Sequence, residues 1–245
     1  GSLTIDCYAP AGIGIGNDFD HSYGDIAVDM EGRLEIISNS VDTLCIGGGY
    51  NEDDSEIDLR SGQIRIHMHS HNGLAIGSFN GDALIDISDK CKLELTVSGI
   101  KVTGIGSCKG IATISSSADI AISCTGAQAV AIGSLEDGEG SIYIKSGKLM
   151  MKMRSAKNSA IGAIKGNMNT RVENADISID SEGDEITGIG DALGTGNVAI
   201  IDSAVTMKIL AANPKDIGTG SGDLKIVNST VSSLINNKVI THSNI

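Results

Sequence analysis

The sequence has no tryptophan and only two prolines, two phenylalanines and four tyrosines in 245 residues. Such a scarcity of aromatic rings counts against sugar stacking as a dominant mode of recognition. No run of about 18 apolar residues is present, so no transmembrane helix is expected, and no basic-then-apolar leader is visible. A strict three-residue glycine period is missing, which excludes collagen. The signatures G-x-S-x-G, the P-loop and H-E-x-x-H are all absent, and the five cysteines show no C-x-x-C spacing. Basic charge is also short. The formal net charge is −13, so a nucleic-acid backbone, which is held by clustered Lys and Arg, is not an expected partner.

What is abundant is glycine, with 32 residues, beside an apolar content of 40 %. The apolar share excludes a disordered chain. Interior glycines each cost a helix about 1 kcal/mol relative to alanine, so many short strands joined by glycine turns are the remaining reading. Cys7, Cys45, Cys91, Cys108 and Cys124 make an odd set. They read as small buried apolar residues, and unpaired thiols favour a reducing compartment or an anaerobic habitat.

A small residue followed by Ile-Gly recurs eight times, ending at Gly16, Gly47, Gly77, Gly106, Gly133, Gly162, Gly190 and Gly218. The step between them is about 29 residues, the scale of a structural repeat. Eleven residues before each motif stands an aliphatic: Leu3, Leu34, Ile64, Leu93, Ile120, Leu149, Ile177 and Val205. Two residues further on lie Ile5, Ile36, Ile66, Leu95, Ile122, Met151, Ile179 and Met207. The register between this strand and the Ile-Gly strand never slips, so all length variation falls elsewhere. About seven residues upstream of the aliphatics lies another alternating segment, such as Ile57-Asp58-Leu59 or Ile142-Tyr143-Ile144, as in a half-buried strand.

A coil of three such strands cannot bury its own apolar face, but stacked coils can, each strand pairing in parallel with its equivalents at about 4.8 Å. The expected fold is therefore all-β: a single-stranded right-handed parallel β-helix of about eight coils, three short strands each. It forms one domain over 3–245, with 224–245 as an incomplete capping coil. Gly1 and Ser2 look like a cloning scar. Because the chain begins inside a coil at Leu3, a longer polypeptide is expected. The Ile-Gly glycine is expected at a corner with no room for a Cβ.

Candidate sites fall in the loop after Ile-Gly and on the outward strand face. Asp18, Asp20, Asp25, Glu52, Asp53 and Asp54 sit in the first two of these loops. Stacked on one edge, such carboxylates suit Ca²⁺, which takes six to eight oxygen ligands; the alternative is a solvated acidic loop. Phe19, Tyr50 and Phe79 hold nearly equivalent places after the motif glycine. Outward they would form an aromatic strip for sugar rings or a protein partner; inward they would fill the loop base. His67 and His69 share a strand face and suit a transition metal, or form an exposed ladder. A cross-coil ion pair of Glu35 with Arg65 is expected on the same face.

The A-I-G corners, I-x-I strands and G-x-L turns resemble bacterial right-handed parallel β-helix proteins of the pectin-lyase-like superfamily, especially non-catalytic, surface-associated members. The resemblance covers nearly the whole chain. It implies a carbohydrate-binding or adhesive solenoid outside an anaerobic cell, assisted by calcium, with a polysaccharide or surface protein as partner and no membrane insertion. In related lyases an Asp-rich calcium site and a basic catalytic residue share one face. Here the acids lie in loops and Arg65 alone is close in repeat register, so an enzyme is the less favoured reading. Two alternatives remain: a sensory or scaffold module of a larger, cytoplasmic protein, which five unpaired cysteines favour, and a polysaccharide lyase or hydrolase.

Overall fold

The computed structural model describes residues 1–16, 24–48, 54–136 and 138–243. The described residues form strands and connecting turns. They begin with β1 (Ser2–Cys7), β2 (Ala11–Gly16), β3 (Gly24–Asn39), β4 (Asp42–Gly48), β5 (Ser55–Ser78) and β6 (Ala83–Ile87). Next come β7 (Cys91–Ser107), β8 (Ile111–Ser116), β9 (Asp119–Ser134), β10 (Gly138–Ile144), β11 (Gly147–Ala163) and β12 (Gly166–Glu173). The chain ends with β13 (Ala175–Asp191), β14 (Val198–Ile201), β15 (Ala204–Ile217), β16 (Leu224–Val227), β17 (Thr230–Ile235) and β18 (Lys238–His242). Together they wind a parallel β-solenoid of about eight coils.

The aliphatic ladder is the physical reason for the winding. Leu3 pairs with Leu34, Leu34 with Ile64, Ile64 with Leu93 and Leu93 with Ile120. The column continues through Leu149, Ile177 and Val205 to Val231. From Leu34 onward all of these are buried, as are Ile36, Ile66, Leu95 and Ile122 beside them. Each buried aliphatic contributes about 1.5–3 kcal/mol, and no coil keeps that contribution without its neighbours. The turn before Ile-Gly does not break the element, so two of the three expected segments run together as one long strand in β7, β9, β11 and β13, and all three do so in β5.

The motif glycines stand at the corner, with φ from 116° to 155°. A Cβ on any of the first seven would fall on the carbonyl oxygen of the corner glycine in the next coil. Gly218, which ends the column, has nothing within 4 Å of that position. Stacking thus demands glycine sterically, beyond the backbone conformation that glycine alone adopts freely.

Outside the main core lies a second layer. The outward column of the Ile-Gly strands includes Leu44, Leu74, Thr103 and Val130, all buried. Phe79, two positions after its motif glycine where the chain folds back, packs on Leu44 and Leu74, with Cys108 of the next coil against the same cluster and in contact with Thr103. Leu135 and Ile164 hold the same position in later coils. Backbone bonds from Lys109 N to Phe79 O (2.8 Å) and Glu136 N to Cys108 O (2.9 Å) continue the parallel ladder through this flap.

The fixed-strand face carries ion pairs in a different arrangement from the expected one. Arg65 pairs with Glu94 of the following coil at 2.5 Å, while Glu35 is taken by Arg33 on its own strand at 2.6 Å. Glu35 and Arg65 are neighbours in register, but each has an acid or base on its other side and turns there. At the far end, β18 runs antiparallel to β17. His242 Nε2 lies 2.6 Å from Asp216 Oδ2.

Candidate functional site

A groove of about 430 Å³ lies between the outward face of the Ile-Gly strands and the flap loops. Its floor is a polar column three residues before each motif. Lys101, Gln128, Lys157 and Glu185 are successive partners there, and the last three line the groove. Its wall is the flap, with Leu135, Ile164 and Leu193, the last 77 % exposed at the rim.

The groove carries charge of both signs. Lys157 Nζ meets Glu185 Oε2 at 3.0 Å, and Lys101 pairs with Glu136 of the wall. The Lys157–Glu185 pair is exposed, so it contributes little to stability and its donors and acceptors stay accessible, whereas the Lys101–Glu136 pair is half-buried. Behind the floor, buried Asn158 accepts from Ser181 Oγ at 2.7 Å and donates to the Ser155 carbonyl at 3.1 Å.

One buried carboxylate underlies the wall. Asp191 stands directly after its motif glycine, where the register places Ser78, Ser107, Ser134 and Ala163 in earlier coils. It is fully buried. Its Oδ1 accepts from Ala163 N at 3.0 Å and its Oδ2 from Met168 N at 2.7 Å, and the Gly196 N–H donates to it as well. Burial outweighs these bonds and the nearby Lys215 and pushes the carboxyl up to about 6.

A second polar cluster lies on the face that carries β10 and β12. The Tyr143 hydroxyl donates to Glu173, which also pairs with Arg171. Arg171 and Lys145 both approach the Tyr143 ring, at 5.7 and 5.9 Å from its centroid, within cation–π reach. Lys145 Nζ is 3.7 Å from Asp86, which accepts from Ser115 Oγ at 2.6 Å. The cations here are therefore already matched by carboxylates.

The residues singled out from sequence separate into three groups. Asp18, Phe19, Asp20, Tyr50, Glu52 and Asp53 lie outside the described residues. Asp25 and Asp54 are exposed, and Asp25 is the register partner of Glu56 on the next coil. Among the described residues no three His, Cys, Asp or Glu side chains converge as metal ligands. Phe79 is only 4 % exposed and packs on Leu44 and Leu74, so it fills the loop base and presents no ring to solvent. His67 sits 3.9 Å from Glu35, and His69 Nδ1 is 2.9 Å from Ser98 Oγ.

The groove residues Gln128, Lys157 and Glu185 belong neither to the inward ladders nor to the loop acids, the two patterns most evident in the sequence. Their signal was a polar residue at a constant offset of three before the motif. Asp191 was visible only as the one acid at a position otherwise held by small or uncharged polar residues (Asn17, Gly48, Ser78, Ser107, Ser134, Ala163 and Thr219). Compared with protein-family models, with curated proteins and with solved structures, the chain has no match.

Proposed function

We propose that this solenoid is a non-catalytic binding module of the adhesive type, whose groove takes an extended polar chain, in the first instance a polysaccharide. The observation that carries the reading is the column of Gln128, Lys157 and Glu185 on consecutive coils, walled by an amphipathic flap. Donors and acceptors repeated at the coil spacing of about 4.8 Å suit a ligand that is itself a repeat of hydroxyls. The rim Leu193 offers an apolar contact of the kind that accompanies polar recognition. Similarity of the A-I-G corners to surface-associated bacterial β-helices points the same way, towards a polysaccharide or surface protein as partner. Calcium assistance belongs to the proposal through Asp25, Glu56 and the neighbouring loop acids, which suit an oxygen-loving cation.

The test is a glycan array run with calcium and again with chelator, on the chain and on Lys157→Glu. The reading expects at least one glycan class bound without turnover, and binding weakened at least about tenfold by the charge reversal, the loss of one charge-assisted contact. No binding under either condition would overturn it. Release of shortened or unsaturated products would replace it with a lyase or hydrolase.

A scaffold role in a reducing compartment is the second reading. It is favoured by the free thiols, of which Cys45, Cys91 and Cys124 are buried. A non-binding array together with a fused regulatory domain in the full gene would support it.

A further inference from the structure

The loops of the groove wall are held by unequal means. In two other coils the residue after the motif glycine caps its own loop. Ser78 Oγ accepts from Gly81 N at 3.1 Å, and Thr219 Oγ1 accepts from Gly222 N at 2.7 Å. A hydroxyl is too short to do more. Asp191 caps its own loop through Gly196 N and also reaches the preceding coil at Ala163 N and Met168 N. The segments so joined, 163–168 and 191–196, include Ile164, Ala192 and Leu193 of the groove.

The loop packs against both the preceding coil and this carboxylate. A Cβ on Gly196 would fall on the Met168 carbonyl oxygen and meet Asp191 Oδ2 at 2.5 Å, and one on Gly194 would fall on the Gly166 carbonyl oxygen and meet Asp191 Cβ at 2.9 Å. From the following coil, Lys215 Nζ bonds the carbonyl of Ala192 at 3.0 Å and approaches that of Asp191 at 3.5 Å. Lys215 is the charge facing Asp191; Lys165 from the preceding loop and Glu185 from its own strand line the groove.

We propose that Asp191 is the positioning residue of the groove: one side chain ties the loops of two successive coils together and sets the rigidity of the wall. The proposal deepens the groove reading and rests on it only for relevance to a ligand. The clamp has a definite pH sense. A wall that opens returns the carboxylate to water, where its pKa is the ordinary 3.8; closed, the group titrates at about 6. The closed wall therefore binds the proton about a hundredfold more tightly. Raising the pH through about 6 favours opening, and lowering it favours closure.

The experiment is amide hydrogen exchange on the full chain without ligand, corrected for intrinsic exchange, at pH 5 and pH 8. Protection of the Met168 and Gly196 amides is expected to fall about tenfold between the two, the part of the hundredfold that lies above pH 5, while Ile122 and Ile179 stay unchanged. Asp191→Asn, neutral and of the same shape, should remove the pH dependence. Asp191→Ser, which restores the residue of other coils, should leave the solenoid folded but unprotected at these amides at both pH values. Flat protection in the wild type, or wild-type protection in the Ser variant, would overturn the clamp. A clamp without any glycan binding would reject only the proposed function.

Discussion

Two substitutions at the same motif position separate backbone strain from coil stacking. Gly106 and Gly218 have φ of 138° and 116°, and an alanine at either suffers the same class of strain, about 1–3 kcal/mol. They differ in what lies beyond. A Cβ at Gly106 falls on the carbonyl oxygen of Gly133, whereas at Gly218 it meets nothing within 4 Å. To relieve Gly106→Ala, the Gly133 backbone must retreat by about 1 Å in a close-packed ladder. That adds an overpacking cost of about 1–3 kcal/mol and weakens one or two strand hydrogen bonds at about 0.5–1.5 kcal/mol each. The expected difference between the variants is about 2–5 kcal/mol. Urea denaturation followed by circular dichroism measures it. Gly218→Ala should show one transition with a modestly lower midpoint. Gly106→Ala should show a large loss, or two transitions as the coils on either side uncouple. Equal midpoints for the two variants would refute the claim that stacking, beyond local conformation, dictates glycine at the corner.

Within the ladder, Ile122→Ala should cost about 2–5 kcal/mol because the side chain is buried between two coils, whereas Leu3→Ala, 52 % exposed on the first coil, should cost less than about 1 kcal/mol in the same assay. Where β15 meets β18, burial acts to raise Asp216, but bonds from His242, Ser233 and the Ile217 N–H outweigh it and hold the carboxyl below its ordinary 3.8. Its stabilisation is therefore complete above that value and is lost as the pH falls through the lowered one. Amide exchange in β18 should accelerate below about pH 4 in the wild type, while Asp216→Asn should show no such step. Burial pushes the Cys124 thiol up to about 12 and the Cys91 thiol up to about 11, so a thiol reagent at pH 7.5 should leave both unmodified until denaturant is added. Prompt native labelling at either would contradict the core assignment.

How far the sequence discloses this molecule depends on whether a residue's environment repeats. Leu34, Ile64, Leu93 and Ile120 could be aligned from spacing alone because every coil places the same demand on that site, and their register partners in the structure are the ones the spacing implied. The corner glycines were legible for the same reason. The flap was not. The Ile-Gly strand is buried on both faces, so Leu44 and Leu74 read as more core without indicating that Phe79 covers them. Ion pairing was misjudged at Glu35 because register gives neighbours, while the choice among neighbours depends on side-chain reach. Asp191 is the clearest limit. Its importance comes from departing from the repeat, and spacing cannot say that its partners would be amides of another coil.

The reversal of direction at β18 has a consequence for assembly. A parallel edge offers its amides and carbonyls evenly spaced to any further strand of the same sense, so a stack could in principle grow without limit. A closing strand of opposite sense offers alternating narrow and wide pairs, with Lys238 among its residues. On that side of the prism, another winding of the same repeat finds no matching template, and elongation by like units halts there.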